Sequence, residues 1–158
     1  MAKTVVGIFN DFTEAMTSLT DFVHGGIPKE HLSIVTPDTD KEFAQYLGTS
    51  EEQRIAKDTG IGAVIGGLSG LLVGLGALTI PGVGPVLAAG LVGTMLGAET
   101  GSLAGALHGL GIGEYEARSH ATKVGEGRTL VIVKTEDSQI DRVRTILQQH
   151  KAVGIEQH

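Results

Sequence analysis

The residues best suited to bind a metal ion are six histidines: His24, His31, His108, His120, His150 and His158. No two of them form the H-x-x-H or H-x-x-x-H pair that would place two imidazoles on one helical face. Read at helical spacing, they are expected to scatter over the surface, with no metal centre. Cysteine is absent, so disulfides, thiol chemistry and cysteine-based zinc sites are excluded. The run from Gly60 to Gly66 has the look of a dinucleotide-binding loop, but a polar, helical segment precedes it where a strand is needed. Gly125 to Arg128 lacks the lysine–hydroxyl pair of a P-loop and reads as a turn before a strand. No serine stands in a nucleophile elbow, and no two carboxylates are marked as an acid–base pair. The expectation is a protein that is not an enzyme and carries no cofactor.

Two polar side chains stand out for their surroundings. From Thr59 to Gly113 the only charged residue is Glu99, and His108 lies near the end of the same stretch. Both are candidate buried polar groups. Glu99 could handle a proton or ion, or sit paired inside an oligomer. His108 reads as a hydrogen-bonded helix residue.

Glycine dominates this stretch, holding 17 of the chain's 24. One series is Gly62, Gly66, Gly70 and Gly74; the other is Gly93, Gly97, Gly101, Gly105, Gly109 and Gly113. A four-residue step returns to nearly the same helical face, so each series predicts a flat strip of backbone for close helix packing. Between them, Pro81, Gly82, Val83, Gly84 and Pro85 read as the turn of an antiparallel helical hairpin. Ile61 to Ile80 is uncharged and holds ten Ile, Leu or Val residues, enough to cross a hydrocarbon core of about 30 Å. Glycine in a helix costs roughly 1 kcal/mol relative to alanine, so two such series need strong external support. A bilayer or a tightly packed oligomer could supply it.

The flanks have ordinary composition. Lys3 to Phe9 reads as a buried strand. Asp11 and Glu14 form a helix start, and Phe12, Ala15, Met16, Leu19, Phe22 and Val23 make one apolar helical face ended by Gly25 and Gly26. His31 to Thr36 is a second strand. Asp38 to Asp58 is polar, with a short helix around Phe43 to Leu47 and a possible cap at Ser50. After the glycine region come a helix over Gly113 to Val124, a strand over Arg128 to Lys134, a helix over Asp137 to Gln149 and a strand over Ala152 to Ile155. The expected fold is α+β: a split ferredoxin-like βαβ…βαβ domain interrupted by a glycine-zipper helical hairpin. Residues 1–49 form its first half with a polar linker, residues 50–113 the hairpin, and residues 114–158 the connecting helix and second half.

The net charge of −6 lacks the basic face that nucleic acid requires. The N-terminal segment has no signal-peptide pattern, so the globular part is expected in the cytoplasm, attached to or inserted in the inner membrane through residues 60–112.

Finally, GLLVGLGALTIPGVGPVLAAG (Gly70 to Gly90) lies between VVGIFNDFTEAMTSL and YEARSHATKVGEGRTLVIVKTED. Together they resemble the bacterial general stress protein 17M-like family, over nearly the whole chain. The resemblance implies stress induction and, for some members, membrane association; it brings no catalytic residues. The leading functional expectation is a non-enzymatic stress-associated protein whose partners are itself, as a homo-oligomer, and membrane lipid. The alternatives are a water-soluble self-assembling scaffold and a small-ligand or metal sensor built on the sheet.

Overall fold

The computed structural model describes residues 2–37, 76–80, 83–88, 90–95 and 102–158. The chain begins with strand β1 (Ala2–Phe9), helix α1 (Phe12–His24) and strand β2 (Leu32–Pro37). Asp11 caps α1 by accepting from the Thr13 amide, and Gly25 closes it. Strands β3 (Gly76–Ile80) and β4 (Gly84–Ala88) follow, then helices α2 (Gly90–Met95), α3 (Leu103–Gly109) and α4 (Glu114–Gly125). The chain closes with β5 (Thr129–Glu136), α5 (Ile140–Gln149) and β6 (Gly154–Gln157).

This is a mixed α/β architecture with five α-helices among the described residues. The sheet order is β3-β4-β2-β5-β1-β6, and all pairings are antiparallel. Within it, β2, β5, β1 and β6 form a contiguous four-strand unit. β1 and β2 run the same way with β5 between them; β5 and β6 run the same way with β1 between them. Each β-α-β half therefore leaves a gap that a strand of the other half fills. The longest pairing joins the halves, running from Ala2↔Glu136 to Phe9↔Thr129.

The two faces of the sheet carry separate cores. On one face, α1 and α5 pack Phe12, Met16, Phe22, Val143 and Leu147 against Val5, Phe9, Val131 and Val133. On the other, α2, α3 and α4 bring Val92, Leu103, Leu107, Ala117 and Val124 onto Val6, Ile8, Leu130 and Ile132. β1 and β5 are buried on both faces, which is why they read as unbroken apolar runs. In this second helical layer α4 matches the expected helix over Gly113 to Val124, whereas α2 and α3 come from the glycine-rich stretch and were not foreseen as separate short helices.

That half corrects the helical hairpin. The segments flanking Pro81–Pro85 are strands, paired from Gly76↔Ala88 to Ile80↔Gly84, and β4 joins the edge of β2 through Val35↔Ala88 to Pro37↔Val86. A three-residue connection suits a β-hairpin, and as strands these glycines avoid their helix penalty. Gly84 and Pro85 thus lie in β4, while Pro81 and Gly82 lie outside the described residues. An uninterrupted apolar run does not distinguish strand from helix by periodicity, and this one misleads.

The second glycine series does not ride one helix either. α2 ends at Met95, and Ser102 is extended at φ −130, ψ 143, where its hydroxyl caps α3 through the Gly105 amide at 3.0 Å. Gly93 lies on α2, Gly105 half-buried on α3, and Gly109 exposed at its end. Gly62, Gly66, Gly70, Gly74, Gly97, Gly101, Glu99 and the short helix near Phe43 fall outside the described residues. No helix among the described residues is long and apolar enough to cross a membrane.

Candidate metal centre

Three side chains converge where α4 crosses the end of the sheet. α4 packs Ala117, Ala121 and Val124 onto the sheet, and His120 shares that inward face. β6 supplies the others. Glu156 pairs with Val6, and His158 pairs with Thr4 through two backbone hydrogen bonds of 3.0 and 2.7 Å. A strand repeats its facing every second residue, so Glu156 and His158 point to the same side, toward α4.

His120 Nε2 lies 2.8 Å from Glu156 Oε2, and His158 Nε2 lies 3.6 Å from the same oxygen. The three donor atoms all fall within 4.8 Å of one another. The two rings meet edge-on, with centroids 5.9 Å apart and planes at 86°. The His120 side chain is 0% exposed, Glu156 40% and His158 12%.

Burial gives the cluster its meaning. Despite the short approach of Glu156, the carboxylate lies off the ring N–H direction. Both ring nitrogens of His120, and Nε2 of His158, are buried without a hydrogen-bond partner among the described residues. Buried polar atoms are almost always paired, because leaving one unpaired costs about 1–3 kcal/mol. A cation between the rings and the carboxylate would take one ring nitrogen of His120 together with Nε2 of His158. A tetrahedral ion with bonds of about 2.1 Å sets its donors roughly 3.4 Å apart, between the two observed separations.

The electrostatics favour a ligating imidazole. Burial pushes the His120 imidazole below the ordinary histidine range; Glu156 opposes this, while Lys123 and His158 reinforce it. A neutral ring keeps its lone pair for a metal.

A family model described as "Protein of unknown function (DUF1269)" matches residues 62–157. The chain belongs to the DUF1269 family. The DUF1269 match takes in His120 and Glu156 and stops one residue before His158. It also leaves out β1, the strand against which β6 lies. No curated protein and no solved structure matches the chain significantly.

The expectation that the histidines scatter over the surface holds for His24, His31 and His108, which are exposed, but not for the others. His120 is buried, and His150 links α1 to α5 through Asp21 at 2.5 Å and Glu14 at 3.5 Å. The missed signal was Glu156-x-His158. That spacing is inert on a helix but places two ligands together on a strand. Of the two polar residues singled out from the sequence, Glu99 lies outside the described residues. His108 is exposed, and its Nδ1 bonds the Ile112 carbonyl at 3.0 Å.

Proposed function

We propose that this chain is a non-enzymatic, metal-binding protein whose sheet domain holds one divalent ion between His120, Glu156 and His158. The observation that carries this is the fully buried Nε2 of His120, without a hydrogen-bond partner among the described residues, beside a carboxylate and a second imidazole. Two imidazoles and one carboxylate suit zinc and its transition-metal neighbours; magnesium and calcium prefer all-oxygen sites. Three protein ligands leave a coordination position for water or a small ligand. Isothermal titration of the full chain with zinc chloride tests the reading. One equivalent should bind to the wild type, and Glu156→Gln should bind at least about 100-fold more weakly, since even outer-shell changes cost 10–100-fold. Equal binding by both proteins would overturn the assignment.

The interleaved β-α-β halves support a split ferredoxin-like unit, with the β3–β4 hairpin and α2–α4 as its insertion. Membership of DUF1269 accompanies the resemblance to the 17M-like proteins, from which a stress-associated role is drawn. A second reading rests on the near-absence of charge between Thr59 and Gly113. It makes this region the surface for self-association, with membrane lipid as a further partner. Light scattering on a sizing column without detergent, paired with liposome flotation, tests it. A monomer that stays out of the lipid fraction would remove that reading.

A further inference from the structure

The ion's ligands come from two elements that are otherwise joined weakly. β6 is four residues long, lies at the end of the sheet, pairs with β1 alone and is half-exposed along most of its length. It is also the only cover on the outer edge of β1 among the described residues, and β1 carries the fully buried Val5 and Val6. The turn leading into β6 contains Lys151 at φ +63, a left-handed conformation that is strained for a non-glycine residue. Val153, immediately before the strand, is a large apolar residue left 54% exposed. Few buried contacts and a short ladder place β6 at the low end of the molecule's local stabilities. Glu156 and His158 travel with this strand, whereas His120 stays with α4, which is anchored in the core by Ala117, Ala121 and Val124.

We propose that the metal ion clasps β6 to α4, so that occupancy of the site decides whether the outer edge of β1 stays covered. This rests on the metal-binding reading and assigns the ion a consequence. Opening β6 carries two of the three ligands away from the third, so the open strand cannot hold the ion. A ligand that binds only the closed state stabilises it by the factor 1 + [L]/Kd. The coupling runs both ways, because a strand held closed by other means presents a preformed site and binds the ion more tightly.

The test is amide hydrogen exchange on the full chain, with zinc chloride and again after removal of zinc by a chelator. The reporters are the amides of Thr4, Val153 and His158, which bond across the β1–β6 seam. The references are amides of the β1–β5 ladder, such as Val133, in the middle of the sheet. Without metal, the seam amides should exchange well ahead of the ladder. At a zinc concentration 100 times Kd they should slow by about 100-fold, up to the ladder's own rate. His158→Ala removes a ligand without touching the buried core, and its seam amides should not respond to zinc. Stoichiometric zinc binding with unchanged seam exchange would overturn the clasp and leave the metal site standing. Seam amides that already match the ladder without metal would also overturn it. Failure to bind zinc at all removes both readings.

Discussion

At the residue scale, His120 decides the chemistry, and its burial has a consequence for the metal-free protein. Its pKa lies below the ordinary 6.5, chiefly because burial disfavours the charged ring. The unfolded chain therefore takes up this proton more readily than the native one. The fold keeps its full stability above about pH 6.5 and loses part of it as the pH falls toward the lowered native value. Denaturation of the metal-free protein should show a midpoint that drops more between pH 7 and pH 5 for the wild type than for His120→Gln. Parallel pH profiles would mean that Glu156 and Glu116 cancel the effect of burial and that the folded His120 pKa is not lowered. The histidine's role was illegible because sequence spacing compares residues along one element. Here Glu156 and His158 lie 36 and 38 residues from His120, on a strand and its end rather than on the same helix.

Single glycines matter at the scale of the elements, though not those of the four-residue series. Gly90 opens α2 at φ +63, where an added Cβ would meet the Leu32 carbonyl oxygen at 2.1 Å and Ser33 Oγ at 2.9 Å. Ser33 Oγ also accepts the Val92 amide at 3.3 Å, so the start of α2 sits directly on β2. Gly90→Ala should cost about 2–4 kcal/mol in chemical denaturation, from a backbone clash and left-handed strain together. Gly109 offers the contrast. It is exposed at the end of α3, so Gly109→Ala should be neutral or stabilising by up to about 1 kcal/mol. A loss of 2 kcal/mol or more there would restore the packed glycine strip. The elements outside the glycine region were legible because their signals are local: Asp11 before α1, Gly25 and Gly26 after it, and β-branched runs in β1, β2 and β5. The glycine region was not, since ALTIPGVGPVLA satisfies both a helix pair and a hairpin until β2 offers its edge as a partner.

For the whole molecule, the interleaving of the two halves sets the folding unit. β5 fills the gap between β1 and β2, and β1 fills the gap between β5 and β6. Residues 1–49 and 114–158, expressed separately, should each lack a cooperative unfolding transition, as read by circular dichroism on heating. A cooperative transition in either piece would mean that its β-α-β unit closes without the other. The repeat of β-α-β at both ends of the chain made this pairing legible from the sequence. α4 was legible as a helix leading back to the sheet, but the layer it forms with α2 and α3 was not, because the segments of α2 and α3 were read as one arm of a long hairpin. That layer carries His120 on the sheet-facing side of α4, beside the E-x-H strand end that completes the proposed metal site.

The most direct measurement is a crystal structure of the zinc-loaded full chain, with the ion located by its anomalous scattering. One zinc peak should lie about 2.0–2.2 Å from His120 Nε2, a Glu156 oxygen and His158 Nε2. A peak between His150, Asp21 and Glu14 instead, or no peak at the α4–β6 junction, would contradict the metal centre.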